Sequence, residues 1–319
     1  MSKAQITPAR MGVYCMLAGM LLISINDMLI KAMSGDYPLH QLMAMRSLIG
    51  IVLTFGLVHY EGGLALFKTG RPGLHILRGL LIVLANSAMY AAIVSMPLAT
   101  ANAIYFVAPL FVTLLSIPIL GEHIGPRRFA AIGIGFVGVL VMMGPEVTSG
   151  AQGLGWIVVL PVLAAAGYGT MSVLTRKLRD VSRASILSIH MQIAFLAVSG
   201  IMFVVAGDGR FVTPDSSASA QFLLRAWVWP QSGDWIYIAM LGLMSAVVGY
   251  LMTQAYRLSP AAVVAPFEYV LLIYALFWGY TVFGEWPAPT VFLGAAIVIA
   301  SGVYVFVREG QKGSRTIRS

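Results

Sequence analysis

The stretch "LGEHIGP", residues 120–126, recurs as "FGEWPAP" at residues 283–289. Gly121, Glu122 and Pro126 match Gly284, Glu285 and Pro289 at a constant offset of 163. A glutamate set between long apolar runs is either half of a two-part active site or the trace of a duplication. The flanking sequence decides for duplication. At the same offset Gly79 matches Gly242, Ala92 matches Ala255, Pro97 matches Pro260 and Val107 matches Val270. The first two apolar runs of each half align better near an offset of 144, and the long stretch 207–234 accounts for the missing nineteen residues.

Composition fixes the solvent. Of 319 residues, 59% are hydrophobic and 10% charged, and the mean hydropathy is +0.87. Soluble chains carry roughly 25% charged residues, so this one has too little polar surface for water. Apolar spans fall at about 11–32, 39–60, 72–94, 97–119, 126–143, 153–174, 184–206, 235–256, 260–282 and 288–307. Most are long enough to cross a ~30 Å hydrocarbon core as helix. The ten-residue alternation of a membrane β-barrel is absent. The run from Met11 to Lys31 is too long for a signal-peptide core and has no A-x-A-like cleavage site, so it is expected to be a transmembrane helix. The net charge of +8 is spread over short loops and the C-terminal tail, which excludes a nucleic-acid footprint. Cys15, the only cysteine, excludes an internal disulfide and a cysteine-rich metal site.

Orientation follows from the basic residues. With the N-terminus inside, the cytoplasmic segments hold fifteen lysines and arginines, among them Arg71, Arg127, Arg128, Arg176, Lys177 and Arg257. The outer side holds only Lys31, Arg210 and Arg225. Both termini are therefore predicted to be cytoplasmic. The fold expected is all-α and integral to the membrane, with ten helices in two five-helix units, 11–143 and 153–307. Five is odd, so the second unit enters from the opposite face, the inverted repeat that lets one site open alternately to the two sides. Glu122 and Glu285 then lie on opposite sides and cannot share a site. Each is expected to stabilise the start of the helix that follows it.

The two copies, each ending in P-x(24)-E-x(3)-P before a Gly/Ala-rich last helix, resemble paired EamA domains of the drug/metabolite transporter superfamily. "SINDMLIKAMSGDYPLHQLMAMRS" (residues 24–47) and "PLATANAIYFVAPLFVTLLSIPILGE" (residues 97–122) look especially like bacterial members. The resemblance covers almost the whole chain. It implies a multi-pass protein of the bacterial inner membrane, and it implies export of a small organic metabolite such as an amino acid or a related amphipathic solute. It does not name the solute, since members are described as moving amino acids, riboflavin, S-adenosylmethionine, nucleotide sugars and drugs. Secondary-active or facilitative transport fits, with protons as a coupling partner and a monomer or homodimer as the assembly. No cofactor is expected. The first four helices of each half would surround a cavity, and the fifth would pack peripherally or at a dimer interface.

An ionisable group within the hydrocarbon costs several kcal/mol unless paired or wetted, so each one is a candidate. Asp27 and Glu268 are the acidic residues within spans, and Arg46, Arg78 and His190 are the basic ones. Asp27 and Arg46 lie at similar depth, roughly 6–12 Å below the outer face, and are expected to pair directly or through water, for structure or for substrate. Glu268, about 12 Å from the cytoplasmic face, aligns with Tyr105, which approaches the midplane from the other side. It is the prime candidate for a proton or for a cationic substrate group; the bland reading is a neutral acid bonded within the bundle. His190 suits proton transfer, or is a core residue. Arg78 is expected to snorkel. Asn26, Asn86, Tyr90, Asn102, Tyr168, Tyr250, Thr253, Gln254, Tyr269 and Tyr274 either line a cavity or join helices by hydrogen bonds. Asn86 and Tyr90 share a helix face.

The glycines of "GIGFVG" (residues 133–138) match the dinucleotide fingerprint, but no strand precedes them and they fall mid-span. They are expected to allow close helix packing. Pro109, Pro118, Pro161 and Pro266 are candidate hinges. A lipid-modifying membrane enzyme would need an aspartate cluster at one face, and none is present. A membrane sensor would bind without flux. No feature suggests an ATP-driven pump.

Overall fold

A computed structural model describes residues 8–67, 71–121, 125–148, 155–178, 182–258 and 265–316. Twelve α-helices follow one another among the described residues: α1 (Pro8–Met33), α2 (Leu39–Glu61), α3 (Pro72–Ser95), α4 (Leu98–Tyr105), α5 (Ala108–Leu120), α6 (Pro126–Thr148), α7 (Val159–Leu178), α8 (Ala184–Ala206), α9 (Ala218–Leu224), α10 (Trp235–Leu258), α11 (Val270–Phe283) and α12 (Pro289–Thr316). Among the described residues there is no strand. Seven helical stretches of the described residues are long and apolar enough to cross a membrane, and three shorter apolar ones run over Phe129–Gly144, Phe267–Phe283 and Pro289–Tyr304.

The duplicated motif works as one stop followed by one start. Gly121 (φ 72°) and Gly284 (φ 65°) take the left-handed conformation that ends α5 and α11. Pro126 and Pro289 then open α6 and α12, where a missing N–H costs nothing. Pro72 opens α3 in the same way, and Pro38 and Pro97 immediately precede α2 and α4.

One span departs from expectation. Residues 97–119 form two helices rather than one, interrupted at Phe106 and Val107. Pro109 has no N–H to give the Tyr105 carbonyl, so the α-helical ladder cannot run through. The matching stretch of the second half is irregular at the same place. A 3₁₀ turn over Ala265–Tyr269 precedes α11, and the offset of 163 maps Tyr105, Phe106 and Val107 onto Glu268, Tyr269 and Val270.

Packing is reciprocal between the halves. α1 lies on α10 as α7 lies on α3; α2 lies on α10 as α8 lies on α3; α1 meets α11 as α7 meets α5. The two remaining large contacts join each helix to its own counterpart, α2 to α8 and α6 to α12. Gly79 and its repeat mate Gly242 both sit at close approaches: a Cβ would lie 2.7 Å from Ala194 Cβ at the first and 2.5 Å from Ile49 Cβ at the second. Phe106 and Tyr269, also repeat mates, touch each other edge to face with ring centroids 5.2 Å apart. The glycine-rich α6 and α12 pack on one another. At Gly138 a Cβ would meet the Gly294 carbonyl oxygen at 2.9 Å, and Ser301 Oγ donates to the Ala131 carbonyl at 2.5 Å. Close helix packing is thus the role of Gly135 and Gly138, whereas a Cβ at Gly133 would meet nothing within 4 Å.

The long connection 207–234 is docked onto the helix ends. Helix α9 packs on α3, burying Phe222 completely, and Ser219 Oγ donates to the Ala91 carbonyl at 2.6 Å. The helix ends before Trp227, whose ring stacks on His40 and Phe203. Gln41 binds the backbone of Val228 twice, donating to its carbonyl at 2.5 Å and accepting from its N–H at 3.1 Å. Tyr37 Oη donates to Asp234 at 2.5 Å. Burial, with the Asp234 carboxylate beside it, pushes the Tyr37 hydroxyl above the usual tyrosine range and keeps it a donor.

Glu285 does not stabilise the helix that follows it, as the sequence suggested. Its carboxylate pairs with Lys31 Nζ at 2.5 Å and accepts from the Leu98 N–H, at the start of α4, at 3.0 Å. Lys31 Nζ also donates to the Met96 carbonyl at 2.8 Å. The distant helix is favoured because α4 begins behind Pro97 with no side-chain cap of its own. Its counterpart Glu122 lies outside the described residues.

Candidate functional site

The helix break brings a polar group together in an otherwise apolar bundle. α1 supplies Asn26 and Asp27, α2 Arg46, α3 Tyr90, α4 Asn102 and Tyr105, α7 Tyr168, and the 3₁₀ turn before α11 supplies Glu268. Tyr105 lies within electrostatic reach of Tyr168, Glu268, Asp27 and Tyr90, which ties the two halves at one locus. The Tyr105 and Tyr168 ring centroids are 5.9 Å apart. These two tyrosines and Glu268 are half-buried.

Arg46, 4% exposed, anchors one side. Its Nη1 donates to Tyr90 Oη at 3.0 Å, and Tyr90 Oη donates in turn to Asn26 Oδ1 at 3.0 Å. The guanidinium carbon stands 5.5 Å from the Tyr90 ring centroid and 4.9 Å from that of Phe195, so cation–π contact on α3 and α8 holds its plane. Its Nε has no hydrogen-bond partner among the described residues. Asp27 is buried, with Arg46 as its charged neighbour and the Asn102 side chain as its hydrogen-bonding one. Of the expected Asp27–Arg46 pairing, directly or through water, the direct ion pair does not form among the described residues; Arg46 donates to Tyr90 instead. Phe195 carries no polar atom, and the polar-residue reading of the sequence passed it by.

Other candidates fall elsewhere. His190 donates to or accepts from nothing in this cluster; its Nδ1 contacts the Ile186 carbonyl at 2.8 Å, and its ring lies 4.6 Å from His75 and 5.9 Å from Phe67. Arg78 does not snorkel. It is buried between α3, α7 and α8, donating to Thr175 Oγ1 at 2.6 Å and to the Leu187 carbonyl at 2.9 Å. Tyr250 is 50% exposed on the outside of α10, and the Tyr269 hydroxyl points at Gly302 of α12, so neither joins the cluster. Asn86 is half-buried one turn before Tyr90, and Gln254 and Tyr274 are half-buried on α10 and α11. The side chain of Thr253 lies outside the described residues. No group of three or more metal-binding side chains occurs among the described residues.

The charges, amides and ring faces of this locus suit a small polar solute with an apolar part. The sequence profile of the EamA-like transporter family matches residues 10–144 and again residues 155–307. A riboflavin transporter from Rhizobium johnstonii is 30% identical over 77% of this chain and 74% of its own. An S-adenosylmethionine uptake transporter from Rickettsia prowazekii is 24% identical over 93% of each chain. A pseudopaline exporter from Pseudomonas aeruginosa is 27% identical over 89% of each. A crystal structure 18% identical in sequence shares the fold with a TM-score of 0.60, over 97% of this chain and 99% of that one.

Proposed function

The chain belongs to the EamA-like transporter family, and we propose that it moves its solute by alternating access, through a single site between two inverted five-helix repeats. It is a transporter of small metabolites rather than an enzyme, and a multi-pass protein of the bacterial inner membrane. The repeats are residues 11–143 and 153–307, with both termini cytoplasmic and ten crossings in all.

The observation that carries this reading is the matching helix interruption at Tyr105 and Glu268. They are repeat mates, each lies at an interruption of its helix, and each is within electrostatic reach of the other. Non-helical backbone at membrane depth is tolerated only where it is buried in protein or lines a wet cavity. Inverted-repeat carriers place their ligand between such interrupted segments. The reciprocal packing of α1 on α10 and α7 on α3 supports the inversion, and the excess of basic residues in alternate loops supports the orientation.

Glu268 is the proposed coupling group, taking up a proton or meeting a cationic part of the solute. Tyr105, Tyr168 and Asn102 line its surroundings, with Asp27, Arg46 and Tyr90 on the facing side. The named relatives run both inward and outward, so direction follows the gradient applied. A metabolite-panel flux assay in proteoliposomes, with and without a pH gradient, tests the reading. Native chain is expected to give saturable flux, and Glu268→Gln to lose its dependence on the pH gradient. Absence of flux for every metabolite, or unchanged proton-coupled flux in the variant, overturns the respective claim.

A further inference from the structure

We infer that His40 is a proton-binding site that governs the docked segment 207–234, a strap held in place while the imidazole is neutral and released when the ring takes a second proton. The strap has no counterpart in the first repeat, where nineteen fewer residues join the matching helices. Its flanks are well bonded. On one side Ser219 donates to the Ala91 carbonyl and Phe222 is fully buried; on the other Gln41 holds Val228 twice, and Tyr37 Oη accepts from the Gln231 N–H at 3.0 Å. Between the flanks stands Trp227, its ring centroid 5.8 Å from that of His40 and 4.6 Å from that of Phe203. Two buried polar atoms go without partners here among the described residues: the Trp227 indole nitrogen and His40 Nε2.

The other ring nitrogen fixes the tautomer. Nδ1 lies 3.1 Å from the Leu223 carbonyl of the strap, and a carbonyl only accepts, so Nδ1 carries the proton and Nε2 a lone pair. A second proton, on Nε2, would meet no acceptor. The ring is 4% exposed, the start of α2 on which it stands presents backbone donors, and the indole nitrogen beside it also only donates. No charged group among the described residues acts on the ring. Arg225 donates to the Gly35 carbonyl, Asp234 accepts from Tyr37, Asp208 pairs with Arg210 and Lys31 with Glu285, while Asp36 and Asp215 are exposed. Arg46, six residues further along α2, is bonded to Tyr90. The parts of α3, α8 and α10 nearest the strap carry no charged residue. A charged imidazole is therefore incompatible with the docked strap, and lifting Trp227 gives the ring water instead. The sign follows from linkage. Released, His40 titrates near the ordinary imidazole value of ~6.5, so each pH unit below it favours release by about tenfold. The consequence for transport rests on the reading above: with the strap on the outer side, acid there frees that end of the bundle alone.

The test is hydrogen exchange in the purified full-length chain in detergent, followed at the Trp227 and Val228 amides, which are bonded to the Gly207 carbonyl and to Gln41. Between about pH 7.5 and about pH 5.5, once the intrinsic pH dependence of exchange is removed, their protection is expected to fall about tenfold. Amides in the middle of α3 should keep theirs. His40→Gln, whose amide still offers an N–H to the Leu223 carbonyl, should retain the protection and lose its pH dependence. Equal protection of the strap at both pH values in the native chain overturns the inference, whether or not the variant folds. So does an acid-induced loss shared by α3, which would mean that acid loosens the whole bundle, and so does the same strap loss in His40→Gln. None of these outcomes bears on alternating access, which is judged by flux. A strap that responds to acid in a chain without flux sinks the carrier reading and leaves this one standing.

Discussion

Glycines at helix contacts are where single residues decide this packing. Gly79 and Gly242 occupy equivalent places in the two repeats, and each has a neighbouring side-chain carbon within 2.7 Å of where a Cβ would stand. Gly133 has nothing within 4 Å of its own. Alanine in a helix gains about 0.5–1 kcal/mol over glycine from backbone entropy, while forcing an extra carbon into a packed interface costs roughly 1–3 kcal/mol. Gly79→Ala and Gly242→Ala should therefore lower the thermal midpoint in detergent, by similar amounts. Gly133→Ala should leave it unchanged or raise it. A neutral result at both Gly79 and Gly242 would mean that the helices can separate without loss. The equality matters as much as the sign, because unequal losses would show that the repeats do not pack alike.

Among the elements, the interrupted fourth span and the clamp at its start form one device. Pro109→Ala returns an N–H to the Tyr105 carbonyl and removes a helix-interior proline, a penalty of ~3 kcal/mol in an unbroken helix. The expected outcome is a higher thermal midpoint with lower flux, since straightening the segment moves Tyr105 away from Glu268. At the other end of α4, Glu285→Gln leaves Lys31 without its carboxylate. Removing one partner of a buried pair costs about 3–5 kcal/mol, reduced here because Glu285 is one-quarter exposed. A cysteine placed at Ala99, buried behind the clamp, should then react faster with a membrane-impermeant thiol reagent in a chain lacking Cys15. Adding Lys31→Met should restore protection. Unchanged reactivity in Glu285→Gln would show that the clamp does not close this end. The sequence disclosed the helix starts and stops well, because proline and glycine act through their own backbones. Asp27, Arg46 and Glu268 stand out in it because charge in hydrocarbon is rare, and Tyr105 because the offset of 163 pairs it with Glu268. It did not disclose what pairs with what: Glu285 with Lys31 is 254 residues apart, Arg78 with Leu187 is 109, and a Phe195 wall leaves no polar trace. Tyr250 was misplaced for a related reason, since a tyrosine suits a cavity and a lipid interface equally well.

For the molecule as a whole, everything mechanistic depends on the two halves entering the membrane in opposite senses. The charge bias and the reciprocal helix contacts support this from independent directions, one from insertion energetics and one from packing. The duplicated motif offers the cleanest test, because its two copies are alike in sequence and are required to differ in location. Single cysteines at His123 and at Trp286, the latter 66% exposed, can be introduced into a chain whose Cys15 is serine. In intact cells a membrane-impermeant maleimide should modify the cysteine at 286 and not the one at 123. After the inner face is opened, both should react. Labelling of both from outside would place the repeats in the same sense, and a single site could not then be presented to the two sides by exchanging the roles of equivalent helices. The opposite labelling pattern, 123 outside and 286 inside, would keep the inversion but reverse the orientation. It would put the docked 207–234 segment and the Lys31–Glu285 clamp on the cytoplasmic face, making them an inner rather than an outer closure.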